Sequence, residues 1–370
     1  MVLKVSEDKT NDEKPIEYRN EILFLYDVTN ANPNGDPYNN KPRIDQWSER
    51  NLVSDTRLKR TVRDYLLARG EGVFVKIEYN ADGSRKTRED LSAEVWETVK
   101  GDRSNAIKEF NKAYIDFRLF GATVAAGKKV KKSKKSDQPS EQSGKSGDPD
   151  SSGETESNVQ PVNWTGPVQF KIGQSLHSVE ISNLKGTTVL PSKAENTAGT
   201  FTDFWYVPYS LIAFYGIVNE EQAKNTGLKE GDIDKLLDAL WNGTKGLISR
   251  SKFGQMPRLL LQVSYVPHFH VGNLDNRVSL QDRSGNSVDT LETKGKNIRS
   301  IEELRIDISK LVNDLKSNSK NIKKIRIRTD ESTHYAIGNL VVMDLIETLS
   351  KMDEFKGKVE RIEDKDWAAK

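Results

Sequence analysis

EILFLYDVTNANPNGDPYNNKPRIDQWSERNLVSDTRLKRTVRDYLLAR, residues 21–69, carries a strand, a long turn-rich loop and a helix in one pass. Ile22–Tyr26 is a short apolar run rich in β-formers and bounded by polar residues, which suits a central strand covered on both faces. The loop Asn30–Asn40 contains Asn-Pro-Asn-Gly-Asp-Pro, too polar and too broken by turn formers to continue the strand. Arg43, Ile44 and Asp45 read as a short extended return.

The helix that follows is N-capped by Ser54 or Asp55, whose side chains can accept from an orphan backbone N–H. Leu58, Val62, Tyr65 and Leu66 mark its buried stripe. Thr56, Lys59 and Arg63 are three and four apart and share another face, with Arg57 and Arg60 close by. Two readings of that face stand side by side. It can track a phosphate backbone, with Lys and Arg heads supplying charge and Ser and Thr hydroxyls supplying donors, or it is an ordinary solvated helix face.

Outward from this stretch, 370 residues suffice for one large domain with insertions, or for two domains. Fifty-seven basic residues against 55 acidic give a net charge of only +2, so a nucleic-acid footprint would have to come from local clustering. The chain has no cysteine, which excludes disulfides, thiolate-held zinc and a thiol nucleophile. There is no apolar signal core at the N-terminus and no apolar run long enough to span a membrane, so no membrane partner and a cytoplasmic home are expected. No GxxxxGK[ST] or GxGxxG phosphate loop is present.

Further along, Val73–Tyr79 reads as a strand and residues 88–112 as a helix divided at Gly101-Asp102. Ile115, Phe117 and Leu119 alternate with Asp116 and Arg118, which reads as an extended run. Residues 127–158 pass from a lysine-rich run into Ser, Gly, Asp and Glu, and cannot offset their ordering entropy; they read as a disordered insertion, a solvated tether or a nucleic-acid contact. Val168, Phe170 and Ile172 alternate as a strand. The aromatic run Phe201–Tyr215 reads as a core strand, though aromatics also stack on bases. Glu230–Trp241 is a helix, Leu259–Val266 a buried strand and residues 300–316 an amphipathic helix. Ile322–Arg328 is a strand with a Lys/Arg face. His268 and His270 alternate on one strand face without an evident third ligand, so no metal is expected.

Certain residues carry a resemblance. Asp27, Asn32-Pro33-Asn34-Gly35-Asp36-Pro37, Pro42-Arg43-Ile44-Asp45, Ser54-Asp55-Thr56-Arg57-Leu58-Lys59-Arg60 and Arg63-Asp64-Tyr65 resemble the opening signature of a CRISPR-associated family. It is the backbone subunit of type I Cascade, the crRNA-guided surveillance complex, in the branch of subtypes I-B and I-C (the Cas-seven group of the RAMP superfamily). Arg118-Leu119-Phe120-Gly121, Gly166-Pro167-Val168-Gln169-Phe170 and Val207-Pro208-Tyr209 continue it in the family's order, so that the likeness spans about residues 20–270.

The resemblance implies an α+β fold: a modified RRM (ferredoxin-like) palm with a helical and β web insertion and a thumb β-hairpin. It implies a single palm domain over 20–350, with the web at 70–165 and the thumb at 182–202, between loose tails at 1–19 and 351–370. RNA contact is implied for Arg43, Ser54, Thr56, Arg57, Lys59, Arg63, Phe120, Gly121 and Gln169, with core packing an equal reading for Phe120. Val189, Leu190 and Pro191 would be the apolar island of the thumb, an unstacking wedge between base steps. The implied partners are crRNA, target DNA, further copies of the chain, and the other Cascade subunits: the large subunit, the crRNA 5′-handle-binding subunit, small subunits and a repeat-processing endonuclease. No catalytic residue and no cofactor is implied. The alternative is a metal-dependent cleavage of target RNA, as in type III backbone subunits, through Asp36 and Asp45.

Overall fold

Arg19–Ala31 forms the first strand, β1, and its side chains alternate between two cores. Ile22, Phe24, Tyr26 and Val28 enter one apolar cluster, while Leu23 and Leu25 enter another on the opposite face. A strand buried on both faces needs apolar residues at every position, which is why Ile22–Tyr26 shows no alternation. The computed structural model describes residues 12–98, 103–125, 162–187, 201–288 and 294–364.

After β1 come β2 (Arg50–Val53), α1 (Asp55–Ala68), α2 (Arg88–Thr98), α3 (Arg103–Ala113) and α4 (Ile115–Phe120). Strands β3 (Gly121–Val124), β4 (Val162–Thr165), β5 (Val168–Phe170), β6 (Gly173–Ser178) and β7 (Ser182–Thr187) lead to the long β8 (Phe201–Val218). Then follow α5 (Glu220–Thr226), α6 (Glu230–Lys245) and β9 (Gln255–Tyr265). The last part holds β10 (Ser279–Asp282), β11 (Leu304–Asp307), α7 (Ser309–Ser317), β12 (Ile322–Thr329), β13 (Tyr335–Ile337), β14 (Leu340–Val342), α8 (Leu345–Ser350) and β15 (Val359–Arg361).

The main sheet has the order β15-β12-β9-β1-β8-β6-β2, with β5 and β7 also paired to β8. β1 is antiparallel to both β8 and β9, so those two run parallel and need a crossover, which α6 supplies. On that face α1 lies against α6. A Cβ on Gly243 would meet the Tyr65 Cβ at 2.9 Å, and the Tyr65 hydroxyl donates to Asp238 at 2.8 Å, so glycine at 243 is what lets the helices close up. On the opposite face a smaller sheet, β10-β11-β13-β14, covers the second core together with α7 and α8. Ile322, Ile325 and Ile327 of β12 face that core. Its basic side chains turn the other way: Arg326 pairs with Asp234 at 2.6 Å, and the Arg328 guanidinium lies 4.7 Å from the Trp241 ring centre. A third cluster, around Phe74, Trp96, Phe110 and Phe117, unites α2, α3, α4 and the β3–β4 pair. The fold is mixed α/β.

Three local expectations change. Val73–Tyr79 is no strand, and only a single bridge from Tyr79 to Arg85 is formed there. The N–H groups of Phe74 and Val75 are met instead by the Asp116 carboxylate, at 2.8 and 3.1 Å. Ile115–Phe120 is helical, not extended: α4 sits between two cores, with Ile115 and Leu119 in one and Phe117 in the other. Burial on two sides of one helix mimics the period of a strand. Residues 300–316 are not one helix, because Leu304 and Ile306 enter β11, and the Asp307 carboxylate accepts from Ser309 N–H at 2.9 Å to start α7 only there.

The described parts of both tails are pinned. Ile16 is buried and its N–H donates to Leu228 O, while Arg19 already opens β1. Phe355 is fully buried, β15 pairs in parallel with β12, and Ile362 N–H donates to Ile327 O at 2.8 Å. Apolar anchors inside charged sequence hold these ends. The expected insertion at 127–158, the Gly101-Asp102 break and the thumb island Val189-Leu190-Pro191 lie outside the described residues.

Candidate nucleic-acid interface

Short polar side chains stitch the loop after β1 to the start of α1. The Asn32 amide donates to Asn40 O at 2.7 Å, and the Asn51 amide donates to Arg43 O at 2.8 Å. Ser54 is the N-cap: it is extended, and its Oγ accepts from Arg57 N–H at 3.2 Å. Its own N–H donates to Asn34 Oδ1 at 2.8 Å, and its Oγ lies 2.9 Å from Thr56 Oγ1. The loop therefore fixes the first turn of α1, and with it the side chains that turn projects.

Five of the sequence-predicted residues meet on the α1 side of β5. Lys59 Nζ donates to Asp55 Oδ2 at 3.0 Å and to Gln169 Oε1 at 3.2 Å, and lies 5.5 Å from the Phe120 ring centre. The Arg63 guanidinium is 5.1 Å from the same ring, within cation–π range. The Gln169 amide is held by Gly166 O at 3.0 Å. Gly121 follows Phe120 with φ of +70°, and a Cβ there would meet Trp164 O at 2.0 Å, so only glycine fits.

Within this group the charge is already compensated. Lys59 and Arg63 are 11% and 13% exposed, and Asp55 and Asp116 face them. Arg63 Nε donates to Asp116 Oδ2 at 2.9 Å. Asp116, 1% exposed, also holds the Phe74 and Val75 N–H groups, so Arg63 braces the fold.

A different set of cations forms no ion pair with a carboxylate among the described residues, although Asp64 acts on Arg57 from a distance. Arg57 Nη2 donates only to Thr61 Oγ1, at 3.2 Å, and burial lowers its pKa. The Nε of Arg43 is buried without a hydrogen-bond partner. Lys252 Nζ donates to Asn32 O and, at 3.2 Å, to Ser251 Oγ. Burial, and secondarily the nearby Arg57 guanidinium, push the Lys252 ammonium down to about 8. Arg43 and Arg57 belong to the sequence-predicted set, whereas Lys252 does not. Ser251-Lys252-Phe253-Gly254 reads in sequence as a plain connector, and a lysine in such a turn gives no sign that it folds back onto Asn32.

Other predicted features resolve by position. Asp36 Oδ1 accepts from Tyr38 N–H at 2.9 Å, and Asp45 accepts from both the N–H and the hydroxyl of Ser48, which lowers its pKa. Both carboxylates thus cap turns of the loop. His268 Nδ1 lies 3.5 Å from Glu220 and its Nε2 lies 3.8 Å from Glu221, while His270 is outside that group. Glu220 is buried and already engaged by Arg19 and by His268 N–H at 2.7 Å, so its charge anchors the start of β1. The aromatic run divides. Tyr209, Phe214 and Tyr215 are core. Phe204, Trp205 and Tyr206 are half-buried where β8 leaves the sheet and pairs only with β7; Lys41 lies 4.2 Å from the Trp205 ring centre and Arg250 lies 5.5 Å from that of Phe204. No described helix is long and apolar enough to cross a membrane.

Comparison with known proteins is consistent across most of the chain. The family model for CRISPR-associated protein Cas7 matches residues 18–309. A CRISPR-associated protein Cas7 of Haloferax volcanii is 31% identical over 332 residues, covering 87% of this chain and 89% of that protein. Among solved structures, a chain of a CRISPR RNA-guided surveillance complex aligns over 95% of this chain and 96% of its own, with 14% identity and a TM-score of 0.44. A chain of such a complex in a pre-nicking state covers 86% of this chain and 96% of its own, with 13% identity and a TM-score of 0.45.

Proposed function

Because the chain belongs to the Cas7 family of CRISPR-associated proteins, we propose that it is the crRNA-binding backbone subunit of a type I Cascade surveillance complex. Several copies line up along the guide spacer, and each grips the ribose-phosphate track with the first turn of α1 and the loop before it. A head-to-tail interface that does not close on itself makes such an open filament. Base edges stay free, so sequence is read by Watson–Crick pairing with target DNA rather than by side chains. In this reading the main sheet is the palm, the β7–β8 extension is the base of the thumb, and the third cluster is the web. The large subunit, the 5′-handle-binding subunit, small subunits and the repeat-processing endonuclease complete the assembly in the cytoplasm.

One observation carries the reading: Arg57 and Lys252 lie close together beside the loop before α1, neither ion-paired to a carboxylate among the described residues, and the buried Arg43 Nε of that loop has no hydrogen-bond partner. Cations left without counter-charge at a half-buried site favour an anionic ligand. The chain acts as a scaffold in this proposal. The cleavage reading is disfavoured because Asp36 and Asp45 are occupied by turn N–H groups. Co-expression with the partner subunits tests it: the purified complex should hold small RNA of guide length and several copies of this chain. A monomer free of RNA under those conditions would refute it.

A further inference from the structure

The corner at the carboxyl end of β1 holds more unsatisfied hydrogen-bonding capacity than folding alone explains. Lys252 is tied to Asn32 O, and Asn34, two residues on, holds the N-cap of α1. That arrangement brings Lys252 near enough to Arg57 for the two charges to repel. Gln255, opposite Val28 on β1, is 4% exposed, and its Nε2 has no hydrogen-bond partner. Val28 belongs to the core on the α1 side, so the Gln255 side chain lies on that side as well. Buried donors are normally paired, and each exception calls for an explanation. An ammonium that no carboxylate faces, a guanidinium whose only nearby acid is Asp64 on its own helix, and one orphaned amide donor match a tetrahedral oxyanion: the guanidinium offers a fork, the ammonium a point charge, and the amide a neutral donor.

We propose that Lys252, Arg57 and the Gln255 amide form a seat for a single phosphate group at the carboxyl end of β1. The proposal rests on the RNA-binding reading for the source of that phosphate, an internucleotide phosphate of the guide, and not for the seat itself. The groups that face Lys252 are Arg57 from α1 and, behind it, the Tyr26 hydroxyl of β1, which burial keeps protonated. No carboxylate acts on Lys252, and the one that acts on Arg57 is Asp64 of the same helix, with Arg60 opposing it. Phosphate would supply the missing negative charge and hold the Lys252 proton in place.

The test uses full-length protein stripped of nucleic acid, with inorganic pyrophosphate and a labelled single-stranded RNA as separate probes, from pH 6.5 to 9.5. Lys252→Met should weaken both probes at pH 7 by roughly tenfold, the loss of one charge-assisted bond. Wild-type affinity should fall above pH 8 with a limiting slope of about tenfold per pH unit, as one proton must be taken up on binding. Lys252→Arg should keep the affinity and lose the slope. If Lys252→Met retains the wild-type affinity and pH profile for both probes, the seat is refuted. If RNA binds well without dependence on residue 252, the seat fails while the RNA reading survives. If pyrophosphate shows the full pattern and RNA does not bind, the seat stands and the RNA reading fails.

Discussion

Arg63 and Asp116, 53 positions apart, meet at 2.9 Å in a pair that is nearly sealed from water. The carboxylate also takes two backbone N–H groups from the segment after α1, so the pair ties α1, that segment and α4 together. Arg63→Ala would leave Asp116 buried without counter-charge, and the cost of breaking such a pair is about 3–5 kcal/mol. A urea titration should show this loss directly, and any RNA-binding defect of the variant is then a defect of folding. A melt within about 0.5 kcal/mol of wild type would overturn the bracing role.

Lys59 should behave in the opposite way. Its i,i+4 partner Asp55 is 31% exposed and can be hydrated once the ammonium is gone, so the pair is worth about 1 kcal/mol. Lys59→Ala should therefore cost little stability. It should weaken RNA binding equally for unrelated sequences and lower the salt slope by about one. A sequence-dependent loss would count against a phosphate contact.

Gly121 combines a φ of +70° with a Cβ position blocked by the Trp164 carbonyl at 2.0 Å. Gly121→Ala should destabilise by at least about 2 kcal/mol, with the β3–β4 pair as the part that yields. Thermal melting followed by tryptophan fluorescence reads this out, because Trp164 stacks on Phe117 in the same cluster.

Lys252 makes a pH-dependent prediction for the protein without ligand. Its folded pKa of about 8 lies below the unfolded value of 10.5, so the folded chain holds this proton more weakly. Below pH 8 the buried charge costs stability in full, and that cost fades as pH rises from 8 toward 10.5. Lys252→Met should thus be more stable than wild type at pH 7, with the gap closing by about pH 10. A variant less stable than wild type at pH 7 would mean that the bond to Asn32 O matters more than the buried charge.

Guide-bound complex incubated with complementary RNA and magnesium should leave that RNA intact, and Asp36→Asn or Asp45→Asn should change nothing in the assay. Regularly spaced cuts that vanish in either variant would reinstate a catalytic role for the loop.

What could be read from the chain beforehand follows from the range of each interaction. β1, the Ser54 cap and the stripe of α6 were legible because each is set by neighbours within a few residues. The seven residues of Val73–Tyr79 were not, since their backbone partner is a side chain some forty positions later. α4 misled because two cores grip it at once. Within the site, sequence named Lys59 and Arg63 but could not see Asp116, which neutralises Arg63 from 53 positions away, nor Lys252, whose place depends on a loop about two hundred positions away folding back to Asn32.

The position of β1 has a consequence for the nascent chain. Leu23 pairs with Tyr215 on one side and Leu261 on the other, so β1, in the middle of the sheet, leaves the ribosome before both of its neighbours. Its apolar run must wait until β8, at Phe201–Val218, has been made before it has a neighbour, and closing loops of that length is slow. Chaperone occupancy on this polypeptide should therefore peak early and be released only once β9 has emerged.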